Sequence, residues 1–222
     1  QGYSSAASDV YKRQGYNCGI RGIPDYPAAI CASINDEVIH GIPSKKTIIK
    51  EGDIVSVDLV VYKNGFNGDA ARTYIVGNAP KEIEKLVSVT KQAFFEGIKY
   101  AVKGNRVGDI SHAIGEFVNK NGYSVVREFQ GHGIGRKMHE DPGIPNYGKS
   151  GRGIRLEPGM TLAVEPMVIM GKPDILQLDD GWTIVTEDGS YSAHYENTIL
   201  ITEKEPEAVS YTHLRAHETG RN

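Results

Sequence analysis

The sequence predicts a pseudo-symmetric α+β domain of two strand-bearing halves, with an antiparallel sheet covered by helices. Three observations predict this fold. Strand patterns with a period of two come before and after two stretches with helical spacing. The pair Asn64-Gly65 joins the first two strands as a hairpin. The residue pattern of segment 50–58 is repeated, with different residues at most positions, in segment 157–165.

The first half begins with the predicted hairpin. Residues 53–63 and 66–76 alternate apolar and polar side chains, which is typical of half-buried strands. They flank Asn64-Gly65, and Asn-Gly is the strongest short-range hairpin signal because both residues accept a positive φ. The sequence therefore predicts two long antiparallel strands here.

Two helices are predicted between the strand-bearing segments. Residues 80–103 have helical spacing, and Pro80 suits the first turn. A second helix is predicted to start at Asp109 as the N-cap and to stop at Gly122. The apolar stripes comprise Ile83, Leu86, Val87, Phe94, Ile98 and Val102 in the first helix and Ile110, Ile114, Phe117 and Val118 in the second.

Further strands are predicted in the second half, over residues 160–170, 181–188 and 190–202. The last two are joined across a turn at Asp188-Gly189, since Asp-Gly is a strong turn pair.

The internal repeat relates the two halves. KEGDIVSVD (50–58) aligns with EPGMTLAVE (157–165) at a constant offset of 107 residues. Each run starts with a glycine turn, enters a strand and ends on a carboxylate, Asp58 in one and Glu165 in the other. The second half has two helices before its strands and the first has none, so we expect N-terminal helical cover to be missing.

The two ends differ from the patterned middle. Residues 1–14 and 208–222 are polar and aperiodic, and they resemble translated sequencing-adapter sequence. We therefore expect one catalytic domain at 15–207, truncated at its N-terminus and flanked by foreign, unstructured segments.

Composition narrows the function classes. The net charge is −3 with 24% charged residues and no block of like charges, so neither a nucleic acid nor a membrane surface is implied as a partner. No apolar run approaches the ~18–20 residues of a membrane span. The two cysteines, Cys18 and Cys31, fit no disulfide framework, which is compatible with a reducing, intracellular compartment.

The hairpin brings two acids together. A two-residue turn pairs Val60 with Asp69, so Asp58 lies on the same face as Val60, diagonally beside Asp69, at ~7–8 Å between Cα atoms. Two adjacent acids in a buried site are costly without a cation. Solvated polar positions on an open sheet face explain the hairpin pair equally well.

The second half changes this balance. Glu165 and Glu196 lie mid-strand among residues that favour burial, and Arg72 is the nearby basic residue. Unpaired buried acids destabilise a fold by several kcal/mol each. A dinuclear metal centre removes that conflict, with His132 of GHGIG as a nitrogen donor whose flanking glycines allow close backbone packing. One histidine with four carboxylates favours Mn, Fe or Co, with Zn as an alternative.

A family resemblance supports this interpretation over roughly residues 15–207. The chain resembles the methionine aminopeptidases through seven strings in order and with similar spacing. The strings are HGIP (40–43), VDLV (57–60), NGDAARTY (67–74), GHGIG (131–135), HEDP (139–142), VEPM (164–167) and YENT (195–198). The 33-residue separation of His132 and Glu165 leaves no room for the insertion of type II enzymes, so the resemblance is to type I.

The resemblance implies a role for each matched position and the pseudo-twofold "pita-bread" fold. Asp69 and Glu196 would bridge two metal ions, Asp58 would chelate one, and His132 with Glu165 would bind the other. Glu165 would also accept a proton from the bridging water, which leaves the attacking hydroxide, and would pass that proton to the leaving amine. His139 would stabilise the oxyanion.

Substrate contacts also follow from the resemblance. His40 would contact the substrate amide, and Tyr26, Cys31 and Trp182 would line the methionine pocket. Cys31 as a nucleophile is the weaker interpretation, because no base is placed beside it. His194 shares a strand face with Glu196 but matches no required histidine of the family.

The implied activity is removal of N-terminal methionine from nascent proteins and peptides with a small second residue. The resemblance implies a cytoplasmic monomer, with ribosome association left open and no direct nucleic-acid or membrane partner. Two alternatives remain open: an Xaa-Pro aminopeptidase-like hydrolase, and a non-catalytic binding module of the same fold.

Overall fold

The computed structural model describes residues 17–18 and 26–210 of the chain. Short strands surround one long hairpin and two helices in this part of the chain. The strands are β1 (Asn17–Cys18), β2 (Cys31–Ile34), β3 (Glu37–Ile39), β4 (Ile54–Lys63), β5 (Phe66–Ile75), β6 (Ser124–Val125), β7 (Gly131–Gly133), β8 (Glu140–Ile144), β9 (Thr161–Val164), β10 (Met167–Ile169), β11 (Ile175–Gln177), β12 (Ile184–Thr186), β13 (Ser192–His194), β14 (Asn197–Leu200) and β15 (Glu207–Ala208); the helices are α1 (Lys81–Ile98) and α2 (Val107–Lys120).

The strands form small antiparallel sheets. One holds β1, β2, β4 and β5, with β4 in contact with the other three. A second runs in the order β15-β14-β9-β7-β8, a third is β13-β10-β6 and a fourth is β11-β12-β3. The predicted α+β class with antiparallel sheets is confirmed.

The hairpin has the predicted register. Asn64 and Gly65 both have positive φ, at 52° and 88°, as a two-residue turn of the favoured type requires. Lys63 pairs with Phe66, and Val60 pairs with Asp69. Two strands of ten residues each therefore fix where the two acids of the first half lie.

The helices confirm most of the predicted stripes and correct two boundaries. The first helix was predicted to run to residue 103 but ends at Ile98, so Val102 lies beyond it. Residues Leu86 and Phe94 of α1 and Ile110 and Ile114 of α2 are fully buried in the main core. Asp109 was predicted as the N-cap of α2, but the helix begins earlier and Arg106 is the N-cap. The Asp109 carboxylate instead accepts a hydrogen bond from the Arg106 N–H at 2.7 Å, so it caps the helix end from the third helical position.

The second-half strands are shorter than predicted. The strand over 160–170 is divided into β9 and β10 at Glu165-Pro166, and Pro166 has no N–H to donate to a ladder. The strand over 190–202 is divided into β13 and β14. Glu165 and Glu196 therefore lie at strand breaks and not within strands.

The turn at Asp188-Gly189 does not form a hairpin. Gly189 has a φ of 68°, as the turn requires. The preceding strand β12 pairs with β3 and β11, whereas the following strand β13 pairs with β10. The turn thus carries the chain from one sheet to another.

The internal repeat is present in the backbone conformation as well as in the amino-acid sequence. Gly52 and Gly159 have nearly equal φ values of 90° and 93°. After these turns, β4 begins at Ile54 and β9 begins at Thr161, which preserves the offset of 107. The predicted missing helical cover before residue 15 lies outside the described residues, as do the predicted foreign segment at 1–14 and all but residues 208–210 of the one at 208–222.

The two halves meet along what we call the central seam, the antiparallel contact between residues 69–73 and residues 194–198. Ala71 and Glu196 exchange backbone hydrogen bonds, at 2.9 Å from the Glu196 N–H and 3.4 Å from the Ala71 N–H. The Arg72 guanidinium stacks on the Tyr195 ring at 4.1 Å. The seam places a carboxylate segment from each half side by side.

Helices α1 and α2 pack against each other and share a hydrophobic cluster with the second-half sheet, including Leu162 and Ile199. Neither helix is long and apolar enough to cross a bilayer, and no other helix among the described residues is.

Candidate metal centre

Five predicted ligands converge on one cavity of about 360 Å³. They come from separate elements of both halves. Asp58 is supplied by β4, Asp69 by β5 and His132 by β7, while Glu165 follows β9 and Glu196 follows β13. The hairpin and the repeat therefore bring together residues that are far apart in the chain.

The donor atoms lie close to one another. One ligand atom each from Asp69, His132 and Glu196 lies within 4.8 Å of the other two. The His132 Nε2 atom is 3.6 Å from Glu165 Oε1 and 3.9 Å from Asp69 Oδ2. These separations exceed hydrogen-bond length, and they suit a cation held between the donors.

Burial makes the acids costly to ionise. Asp69 and Glu196 are only 4% and 2% exposed. Burial raises the pKa of Asp58 to about 7, despite a hydrogen bond from Asp69 that acts in the opposite direction. Burial, followed by repulsion from neighbouring acids, also raises the pKa values of Asp69, Glu165 and Glu196 well above their ordinary range. The Arg72 guanidinium opposes this shift at Glu196 only in part, so without a cation the four carboxyl groups resist ionisation.

Unsatisfied atoms point to the same missing charge. Among the described residues, Asp69 Oδ1 and Glu196 Oε1 are buried without a hydrogen-bond partner. Buried oxygens of this kind destabilise a fold unless a donor or a cation meets them. The donor set, four carboxylates and one imidazole, therefore fits divalent cations.

His132 is prepared to act as a ligand. Burial lowers its pKa to about 4, so the ring is neutral near pH 7. Its Nδ1 atom lies 2.8 Å from the Gly133 carbonyl oxygen, which fixes the ring and leaves Nε2 facing the acids. A Cβ on Gly131 would lie 2.3 Å from the Ala163 carbonyl oxygen, so the predicted close backbone packing around this histidine is confirmed.

The two auxiliary histidines line the same cavity. The His139 ring lies 4.4 Å from the His132 ring, edge to face, and its pKa is lowered by burial. His40 has an unusual positive φ of 59°, and its ring stands edge to face with Phe129 at 5.8 Å. Burial, then the charge of His139, lowers the pKa of His40. Both rings are therefore neutral at pH 7.

Among the described residues, one of the three predicted pocket residues, Cys31, lines the cavity. Cys31 is 1% exposed, lines the cavity and pairs with Asp58 across β2 and β4. The Tyr26 hydroxyl donates to the Gly41 carbonyl at 2.9 Å, and its ring meets Trp182 edge to face at 5.2 Å. Tyr26 and Trp182 are not among the residues that line this cavity, so their place in the methionine pocket stays a prediction.

The sequence analysis missed several wall residues. Ile39, Val60, Phe129 and Gln130 line the cavity together with Met138. Phe129 and Gln130 directly precede GHGIG, and that adjacency is the signal that could have identified them. His194, assigned no role from the sequence, is 2% exposed, and its Nε2 atom lies 3.9 Å from Glu165 Oε2 and 4.0 Å from Glu196 Oε2.

Comparison with known proteins identifies the family to which the chain belongs. The model of metallopeptidase family M24 matches residues 4–203. A methionine aminopeptidase of Clostridium acetobutylicum is 52% identical over 204 residues, which cover 92% of this chain and 82% of the relative. Methionine aminopeptidase 1 of Bacillus subtilis is 46% identical, covering 89% of this chain and 79% of the relative.

Solved structures give the same result. The crystal structure of a Thermotoga maritima methionine aminopeptidase matches with a TM-score of 0.90 and 47% identity, covering 92% of this chain and 82% of that one. A prolidase from Pyrococcus horikoshii matches with a TM-score of 0.62 and 22% identity, covering 80% and 46%, and thus shares the fold.

A pita-bread fold around a buried, carboxylate-rich donor set defines a metal-dependent peptidase. The chain belongs to metallopeptidase family M24 and, within it, to the methionine aminopeptidases.

Proposed function

We propose that this chain removes the N-terminal methionine from peptides and nascent proteins, and that five residues hold the metal it uses: Asp58, Asp69, His132, Glu165 and Glu196. The observation that carries the proposal is the convergence of four acids, two of them buried and two half-buried, and one neutral imidazole in a single cavity. We further propose that the site holds two divalent ions, with Mn, Fe or Co favoured by the oxygen-rich donors.

Divalent ions in such a site would supply Lewis acidity toward the scissile carbonyl and would lower the pKa of water toward neutrality. The chain's own residues then handle the protons. Glu165 faces the cavity, and we assign it the role of the carboxylate that accepts a proton from the attacking water and gives it to the leaving amine.

The neutral histidines act on the amide. His139 and His40 border the cavity and have lowered pKa values, so each presents one N–H donor near pH 7. A donor aimed at the carbonyl oxygen favours the transition state, in which negative charge accumulates there. We assign oxyanion stabilisation to His139 and contact with the substrate amide to His40.

The methionine side chain takes the apolar side of the cavity. Cys31, Ile39, Val60 and Met138 provide a mainly apolar wall, with Phe129 next to His40. We propose that Tyr26 and Trp182, whose rings pack edge to face, extend this pocket beyond Cys31. A flexible, unbranched thioether fits a slot of this kind without needing a charged partner.

The proposed setting follows from the substrate. A nascent-chain N-terminus is met in the cytoplasm, and we propose that the enzyme acts there as a monomer, with any ribosome association transient. Size-exclusion chromatography with light scattering tests the monomer, since a stable dimer contradicts it.

A peptide panel tests the proposed activity. Mn²⁺-loaded protein is incubated with Met-Ala-Ser, Met-Lys-Ser and Ala-Pro-Ser, and released amino acids are measured. We expect methionine from Met-Ala-Ser, far less from Met-Lys-Ser, and no alanine. Preferential cleavage of Ala-Pro-Ser supports the Xaa-Pro alternative instead, and no cleavage of any peptide by folded, metal-loaded protein supports a binding module.

A further inference from the structure

Two threonines on the central seam make matching contacts from opposite halves. The Thr198 hydroxyl accepts from the Asp69 N–H at 2.8 Å and donates to the Asp69 carbonyl at 3.1 Å. The Thr73 hydroxyl accepts from the His194 N–H at 2.8 Å and donates to the His194 carbonyl at 2.9 Å. Each hydroxyl thus satisfies both backbone groups of one residue in the opposite half.

A hydroxyl has one donor and two acceptor positions, and each threonine uses its donor and at least one acceptor position in these contacts. The Thr73 hydroxyl also lies 2.8 Å from the Ser56 hydroxyl, which can donate to its second acceptor position. Thr198 is 4% exposed, so water is poorly placed to replace its hydroxyl. A buried N–H and carbonyl left without these hydroxyls would lack partners.

The residues held in this way lie at the metal centre. Asp69 supplies one of the clustered ligand atoms. His194 lies two residues before Glu196, and its Nε2 atom faces the carboxylates of both Glu165 and Glu196. Between the two threonines, Ala71 and Glu196 exchange backbone hydrogen bonds. Three consecutive contacts therefore set the separation of Asp69 and Glu196, one ligand from each half.

We propose that Thr73 and Thr198 are a pair of positioning residues that hold the ligands of the two halves at the spacing required for metal binding. Neither touches the substrate, and each acts through the backbone of the residue it holds. The inference rests on the proposed function, because it presumes that Asp69 and Glu196 bind metal.

Valine is nearly isosteric with threonine and lacks the hydroxyl, so Thr198→Val and Thr73→Val are the test variants. Metal-stripped protein is titrated calorimetrically with Mn²⁺, and we expect each variant to bind about tenfold more weakly than the wild type. Thr198→Ser retains the hydroxyl and should bind within about twofold of the wild type, given the same mechanism.

Thr90→Val is the matched control. Thr90 is 1% exposed in α1, and its hydroxyl donates to the Leu86 carbonyl, away from the site. This variant should lose some stability and keep wild-type Mn²⁺ affinity. Wild-type affinity in either seam valine variant, whatever its stability, overturns the proposal, because a merely structural threonine alters unfolding and not metal affinity.

Hydrogen exchange tests the seam contact in the wild-type protein, without a variant. In the wild type, the Asp69 amide should exchange slowly, and more slowly still with Mn²⁺ bound; exchange at the rate of an exposed amide in both states refutes the seam contact. If the proposed metal centre is wrong, the wild type neither binds Mn²⁺ nor releases methionine. If the wild type is active and the valine variants bind Mn²⁺ equally tightly, only the positioning role of the two threonines is contradicted.

Discussion

Replacing Asp58 by asparagine should stabilise the metal-free protein, although it removes a proposed ligand. The carboxyl of Asp58 is surrounded by other acids, and burial raises its pKa from the ordinary 3.8 to about 7. Keeping it ionised at pH 7 therefore costs about 4 kcal/mol, since each pH unit between the folded and unfolded pKa values corresponds to about 1.4 kcal/mol.

The sign is opposite to that of an ordinary acid. Because the pKa of Asp58 is higher in the folded than in the unfolded state, its carboxyl does not destabilise the fold below pH 3.8, where it is protonated in both states. The free energy of unfolding then falls as the pH rises toward 7. About half of the loss, roughly 2 kcal/mol, falls between pH 5 and pH 7. Asparagine does not titrate, so Asp58→Asn should show a shallower decline.

Urea unfolding with a metal chelator, from pH 5 to pH 7.5, measures this difference. The control is Asp53→Asn, because hydrogen bonds from Asn35 and the Lys50 N–H lower the pKa of Asp53. Its contribution is present above pH 3.8, so that variant should be less stable than the wild type at neutral pH. With saturating Mn²⁺ the wild type should instead be more stable than Asp58→Asn, because the proposed ligand then binds metal. If metal-free Asp58→Asn is less stable than the wild type at pH 7.5, or declines in parallel with it, the reasoning is refuted.

Three other predictions concern the proton carrier, a close approach and a helix cap. Glu165→Gln should lower the rate of methionine release at saturating Mn²⁺ by at least about 100-fold, since general acid-base groups contribute that much, and retained activity contradicts its role. Gly131→Ala should destabilise the fold and weaken Mn²⁺ binding, because the added Cβ would lie 2.3 Å from a backbone oxygen; Gly68→Ala, whose Cβ would meet nothing within 4 Å, is the control, and equal melting temperatures for the two variants argue against the packing account. Asp109→Ala should lower the free energy of unfolding by about 1 kcal/mol in urea titrations at pH 7. Hydrogen bonds from Ser150, the Arg106 N–H and the Gly151 N–H lower the pKa of Asp109, so the difference should shrink as the pH falls below 3.8, and a difference independent of pH speaks against these contacts.

The sequence predicted the parts of the site that depend on local rules. The Asn64-Gly65 turn fixed the hairpin register, and the side-chain period of two then placed Asp58 beside Asp69. The repeat predicted that Glu165 occupies the equivalent position in the other half, and the glycine turns and strand starts preserve that relation.

The remaining features depend on contacts between distant segments. The seam joins Asp69 to Thr198, which are 129 residues apart, and no local pattern reports such a side-chain to backbone bond. The strand breaks at Glu165 and Glu196 were missed because the wider apolar stretches around them favour a continuous strand. Pro166, directly after Glu165, was the local signal of a break that could have been used. The Asp109 boundary was misplaced because an acid can cap a helix either from its N-cap or from its third position.

The most direct test of the metal-dependent account is methionine release from Met-Ala-Ser as Mn²⁺ is returned to metal-stripped protein. At protein concentrations above the dissociation constant, the account predicts no release without metal and a rate that rises until two equivalents are bound. Release that is unaffected by metal removal, or its absence from folded protein at every Mn²⁺ concentration, contradicts the account.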